Sequence, residues 1–217
     1  MLKNKKLAVI GVGKLGEALI SGLLKKEAIS ASDICGTVGH EPSLQRVKER
    51  LNIEVTLDNQ KAVKDKDVIL LAVKPQNMDS VLRDISSVVT KKQLIISVAA
   101  SVTTAFVEER LPEGIPVVRA MPNTPSVMNA GMAGLCTGSA ATDEHKQMSE
   151  EIFRCVGETV FVDESLMDGV TALSASGPAY LYVVIESLAE AGVKLGIPRD
   201  VSTLLAAQTM LGSARKV

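Results

Sequence analysis

Leu7–Gly16 reads LAVIGVGKLG, four apolar residues running into Gly11, Gly13 and Gly16 at the spacing G-x-G-x-x-G. A short strand, this turn and the amphipathic run from Leu15 to Leu24 together form the opening of a βαβ unit, in which a dinucleotide pyrophosphate rests on a helix N-terminus. Gly11 permits the tight turn, Gly13 lets the backbone approach the phosphates, and Gly16 lets the helix pack close to the strand. Val12, Lys14 and Leu15 complete the loop and first helical turn as candidate cofactor contacts. The same letters also spell a glycine-rich turn that binds nothing, so the reading depends on the strand before it and the helix after it.

Outward from this turn, β-branched runs alternate with helical patterns as far as residue 163. Strands are expected at 7–10, 33–36, 68–73, 94–98, 117–120, 132–136 and 158–162, and helices at 14–25, 43–51, 77–88, 103–110 and 143–154. The pattern predicts an α/β fold, a doubly wound parallel sheet of the Rossmann type over residues 1–163. From 164 to 217 the strand signals stop, and 165–175, 178–194 and 199–216 read as helices of Ala, Leu, Val and Ser, a second, all-helical domain. Pro178 and Pro198 suit the first turns of two of these helices and Gly196 the end of the one between them. AYLYVVI, at 179–185, is apolar on nearly every face and needs cover all round, either from a second copy of the chain or from the first domain.

Bulk composition narrows the function classes. The chain has 217 residues, 46% hydrophobic, with a net charge of −1, which excludes a disordered chain and gives no support to nucleic acid as a partner. The first 66 residues hold 12 cations against 8 acids, a mild bias that a phosphate-bearing cofactor or a solvated surface would explain equally. Cys35, Cys136 and Cys155 stand far apart with no CxxC pair, so a disulfide framework and a zinc knuckle are both disfavoured and a reducing cytoplasm fits. No apolar run is long enough to span a bilayer, and Gly11, Gly13 and Lys14 interrupt what would otherwise imitate a signal peptide, so an unprocessed, non-membrane protein is expected. With two histidines, His40 and His145, neither a metal cluster nor a Ser/His/Asp arrangement is legible.

In an open parallel sheet, ligands bind beyond the carboxyl ends of the strands. Four such segments are rich in small or rigid residues: the glycine turn, Val73-Lys74-Pro75-Gln76, Ala99-Ala100-Ser101 and Met121-Pro122-Asn123-Thr124-Pro125. The end of the second strand carries Gly36 and Thr37 in place of a carboxylate, which removes a repulsion of roughly 4 kcal/mol, at about 4 Å and an effective dielectric of about 20, against a ribose 2′-phosphate. NADPH is therefore preferred, with NADH as the alternative. Thr37, His40 and Arg46 are the candidate phosphate partners. Glu186, beside the apolar stretch, reads either as a half-buried carboxylate near substrate or as a helix-pairing one.

Taken together, GVGKLG at 11–16, AVKPQN at 72–77, ISVAASVT at 96–103, RAMPNTP at 119–125 and ALSASGPAYLYVVIESLAEAGVKLGI at 172–197 resemble the pyrroline-5-carboxylate reductase family. The resemblance spans the whole chain, and its MPNTP and SGPAY segments are more specific than the glycine motif. It implies NAD(P)H-dependent reduction of 1-pyrroline-5-carboxylate to L-proline, a small-molecule substrate, a helical dimerisation domain and homodimers or larger assemblies of them. By position it assigns Gly11, Gly13 and Gly16 to the pyrophosphate and Asn59 to the adenosine side. Ala72, Val73, Lys74 and Pro75, with Val98, Ala99 and Ala100, would line the route to the nicotinamide. Asn123 and Thr124 are the candidate substrate contacts, and Ser176 and Glu186 the candidate catalytic residues. The family continues into a VTSPGGTT-like loop that holds the substrate carboxylate; no such segment occurs in these 217 residues, so it is expected outside them. Two other readings stay open, a related hydroxyacid dehydrogenase and a non-catalytic NADPH-binding sensor or assembly partner.

Overall fold

The computed structural model describes residues 2–217. Eight strands form one sheet: β1 (Leu7–Ile10), β2 (Ile34–Thr37), β3 (Glu54–Thr56), β4 (Val68–Leu71), β5 (Leu94–Ser97), β6 (Val117–Pro122), β7 (Gly131–Thr137) and β8 (Gly157–Phe161), in the order β3-β2-β1-β4-β5-β6-β7-β8. The order reverses between β1 and β4, the switch point at which this class of sheet opens a crevice. Strands β1 to β6 are parallel, whereas β7 runs antiparallel to β6 and parallel to β8. The fully parallel sheet expected from sequence is thus corrected at one junction, beyond which β7 and β8 both run against the first six strands. Only eight residues join β6 to β7, too few for the helical crossover a parallel neighbour needs.

Continuous burial of β1, β2, β4 and β5 reflects helices on both faces. Leu7 and Val9 of β1 face one cluster with α1 (Lys14–Lys25), α2 (Glu41–Leu51) and α6 (Asp143–Arg154), which also holds Cys155. Ala8 and Ile10 face the other, with α3 (Asn59–Val63), α4 (Met78–Ile85) and α5 (Thr104–Glu108), which holds Cys35. Each fully buried aliphatic side chain contributes about 1.5–3 kcal/mol, which fixes this layering. Gly36 is a packing residue as well as a gap in charge: a Cβ there would lie 2.7 Å from the Val12 side chain. β3 and α3 had no expected counterpart; the other strands and helices through α6 lie within three residues of their expected bounds.

The chain divides into two units, the first through Ala175 and the second Ser176–Val217, twelve residues beyond the boundary expected at 163. Residues 164–175 fold as a 3-10 turn, α7 (Met167–Val170) and a π-helical turn, Thr171–Ala175. They belong with the sheet because Met167 joins Met121 and Cys136 in a third small cluster, flanked by Val162, Val170 and Ala175.

The second unit is a pair of helices, α8 (Gly177–Lys194) and α9 (Arg199–Ala214), with Pro178 in the first turn of α8 and Gly196 at φ +91° just past its end. Ser202 Oγ donates to the Ala189 carbonyl at 2.7 Å and an Arg199–Glu186 ion pair links the helices. Tyr180, Leu181, Tyr182, Val183 and Leu188 of α8 and Leu204 and Leu205 of α9 are exposed on this chain. No helix among the described residues is long and apolar enough to cross a membrane.

Candidate functional site

The glycine turn is held in shape before any ligand arrives. Gly11 has φ +87°, and a Cβ on it would lie 2.6 Å from Val73 Cγ1, so both the turn and the β4 loop require glycine there. Thr37, 2% exposed at the end of β2, accepts the Gly11 N–H on Oγ1 at 3.2 Å and the Val12 N–H on its carbonyl at 2.7 Å, and the Gly13 N–H turns back to the Gly11 carbonyl at 2.8 Å. The turn's own donors are therefore used internally. Those left for an anion are the first-turn N–H groups of α1, whose N-cap, Gly13, has no side chain to cap them. A Cβ on Gly13 would meet nothing within 4 Å, so this position faces open space, whereas one on Gly16 would lie 3.2 Å from the Gly11 carbonyl, where helix and strand touch.

That space is a cavity of about 630 Å³ along the carboxyl edge of β1, β2 and β4. Gly11, Val12, Gly13, Thr37, His40, Asn59, Ala72, Val73 and Lys74 line it, as does Arg46. Its wall also includes Gln76 and Asn77, from the segment at 72–77 already marked in the sequence, and Val38, Gly39, Ser43, Leu57, Ser80 and Val81, which sequence reading did not place at a site. Ser43 lies in the first turn of α2, whose N-cap is His40, and Leu57 follows the unforeseen strand β3. No carboxylate appears in the lining, and the cations Arg46 and Lys74 do. Arg46 lies 3.8 Å from Glu17 and is 62% exposed in its side chain, leaving it free to turn toward the cavity. The donor set and the open Gly13 position fit a dinucleotide.

Several expected residues stand elsewhere. Thr37 lines the cavity and its Oγ1 accepts from Gly11, so it sets the turn and keeps its own O–H as a donor. Lys14 lies outside, in a smaller depression of about 360 Å³ with Glu17, Lys25 and Arg50. Leu15 packs on the core and Gly16 is buried under the turn. Pro75 opens a short 3-10 turn beside the cavity. Val98 and Ala99 bury their side chains in opposite core layers, so only their backbone and the exposed Ala100 stand at the sheet edge. Asn123 is engaged at both ends: Oδ1 accepts from Met132 N at 2.9 Å and Nδ2 donates to the Ser174 carbonyl at 3.2 Å, fastening the loop after β6. Thr124 is exposed at the start of the next turn. Glu186 is not half-buried; it is 62% exposed in its side chain and paired with Arg199, the helix-pairing alternative. Ser176 is partly buried and precedes α8 without a side-chain cap bond.

Beyond the cavity, β6 buries a cation. Arg119, 3% exposed, donates Nη1 to Glu164 Oε1 at 3.2 Å, while its Nε and Nη2 have no partner among the described residues. Glu164 also accepts from Thr104, at 2.8 Å from N and 2.6 Å from Oγ1. Burial pushes the Glu164 carboxyl up, but the Thr104 and Arg119 donors outweigh it and leave it below the usual carboxylate range.

Comparison with known proteins places this geometry. Residues 6–101 match the family model described as NADP oxidoreductase, coenzyme F420-dependent, and residues 164–217 match the one described as pyrroline-5-carboxylate reductase dimerisation. A pyrroline-5-carboxylate reductase of Methanosarcina acetivorans is 41% identical over 99% of this chain and 79% of its own. The chain belongs to the pyrroline-5-carboxylate reductase family. Among solved reductases of this family, that of Coxiella burnetii superposes with a TM-score of 0.92 at 36% identity, over 97% of this chain and 78% of its own. The Plasmodium falciparum pyrroline carboxylate reductase, solved with NADP bound, superposes with a TM-score of 0.89 at 30% identity, over 99% of this chain and 79% of its own. The reductase dimerisation model begins at 164, the boundary read from sequence, although residues 164–175 pack with the sheet.

Proposed function

We propose that this chain reduces 1-pyrroline-5-carboxylate to L-proline with NADPH. The observation that carries the reading is the cavity at the switch point, with a preformed glycine turn, two cations and no carboxylate in its lining. The uncapped first turn of α1 holds the pyrophosphate, Asn59 borders the adenosine, and His40, Ser43 and Arg46 at the start of α2 take the 2′-phosphate. Ala72 to Pro75 and the backbone of Val98 to Ala100 guide the nicotinamide end. When bound, the cofactor supplies the hydride. A protonated cyclic imine accepts hydride readily, so the chain's task is to hold the ring in place and exclude water, and no strong side-chain base is needed. Thr124 and Ser176 remain the candidates for substrate contact. The exposed apolar residues of α8 and α9 form the self-association face, in keeping with a homo-oligomer.

The test is NADPH oxidation with and without pyrroline-5-carboxylate. Imine-dependent turnover is expected, and tight NADPH binding without turnover would reject the reading. Arg46→Ala should weaken NADPH about tenfold, or about 1.4 kcal/mol, less than the unscreened Coulomb value because the side chain is exposed, while leaving NADH unchanged. An equal loss for both cofactors would remove Arg46 from the phosphate site.

A further inference from the structure

The six residues Val98–Thr103 join β5 to α5 along the same sheet edge as the glycine turn. Ser101, in their middle, has φ +61°, a conformation a serine keeps only where its surroundings hold it. β5 fixes the near end of this loop. The far end leads into a helix of five residues, too short to hold itself. Thr103 caps it by accepting the Phe106 N–H and Val107 anchors it in the core, while its first residue is fixed from a different part of the chain by Glu164, which takes both the N–H and the hydroxyl of Thr104. Glu164 is in turn held by the Nη1 of Arg119, which lies on β6 across from Ser97, the last residue of β5. One carboxylate thus ties three segments: the loop after β5, strand β6 and the turn that opens residues 164–175.

We propose that Glu164 is a positioning residue for hydride transfer, clamping the Thr104 end of loop 98–103 so that the Val98–Ala100 backbone keeps the nicotinamide ring at the transfer geometry. The proposal rests on the reductase reading above. Glu164 is not among the residues that line the cofactor cavity, and it acts through the loop. A displacement of about 1 Å at the reacting atoms can cost about a hundredfold in rate, so a loosened clamp is read in kcat more than in cofactor affinity, which the far half of the cavity supplies.

Glu164→Gln keeps the size of the side chain but turns one acceptor into a donor that faces the Thr104 hydroxyl or Arg119. In the full chain it should lower kcat about tenfold, keep the NADPH dissociation constant within about twofold, and raise the isotope effect on kcat with NADPH deuterated at the transferred position. Amide exchange should quicken at residues 98–104. A folded variant whose kcat, isotope effect and exchange match the parent overturns the proposal, as does a kcat loss matched by an equal loss of NADPH affinity. Should Glu164→Gln not fold, Thr104→Val removes one of the two donors and leaves the Arg119–Glu164 pair; about a threefold drop in kcat with faster exchange is expected, and no change in either overturns the clamp. If the parent chain itself turns over no imine, the reductase reading fails separately, and exchange at 98–104 alone decides whether Glu164 holds the loop.

Discussion

Gly11 and Gly13 are two residues apart and do opposite work. Gly11 is required by the fold, through its positive φ and its contact with Val73, whereas Gly13 has an ordinary φ of −98° and open space where a side chain would go. Gly11→Ala should therefore destabilise the protein by about 1–3 kcal/mol, seen as a lower Tm, and impair cofactor binding with it. Gly13→Ala should leave Tm unchanged and weaken NADPH binding at least tenfold, since its methyl enters the cavity; a Tm loss equal to that of Gly11→Ala would show that the position is structural. Sequence alone gave the two these roles by motif, Gly11 for the turn and Gly13 for the approach of the phosphates, but the contact with Val73 that makes Gly11 structural exists only in the fold. The same limit explains Thr37 and Asn123. Each was legible as a polar residue at a strand end, but whether its hydrogen bonds go to a ligand or to the backbone depends on neighbours 26 and 9 residues away, Gly11 and Met132.

Among the elements, α6 carries a pH-sensitive start. His145 Nδ1 accepts the Thr142 N–H at 3.0 Å, half of a capping box, and this requires the neutral ring. Burial, with help from Lys5 and against Glu144, lowers the His145 pKa below its usual value. A histidine lowered on folding stabilises the protein while neutral, so its contribution is present above about pH 6.5 and is lost as pH falls from there through the depressed folded value. Thermal denaturation should show Tm falling over that window, a fall absent in His145→Gln, which keeps an acceptor at every pH. Long elements with a clear period, such as α1 and α6, were read to the residue. β3 and α3 were not, because three residues, EVT, and five, NQKAV, are too short to display a period and owe their form to pairing with β2 and packing on α4. The reversal of β7 did leave a signal, a connection too short for a crossover.

For the whole molecule, the second unit is the part that a single chain leaves unfinished. Val183 of α8 is 66% exposed, so Val183→Glu costs an isolated chain little, while a charge buried at a helix interface would be expensive. Sedimentation should show the parent chain as a dimer or larger and the variant shifted toward monomer; an unchanged assembly would place the interface elsewhere. The all-round apolar character of 179–185 announced this face in the sequence, but the division of the molecule at 175 was hidden. Residues 164–175 have the composition of the helices after them, and it is contacts made in the fold that assign them to the sheet: Met167 against Met121 and Cys136, the Ser174 carbonyl on Asn123, and Glu164 on Thr104 and Arg119.

The three cysteines divide themselves one to each apolar cluster: Cys155 on the α1 side, Cys35 on the α3 side and Cys136 under Met167. All are buried and unpaired, and burial raises their thiol pKa values, that of Cys136 to about 11, so almost none is thiolate at neutral pH. The chain therefore carries its own set of chemical clocks. Alkylation of each thiol, followed by peptide mass, times how often the layer above it opens, and the native protein resolves three such openings without a single added label.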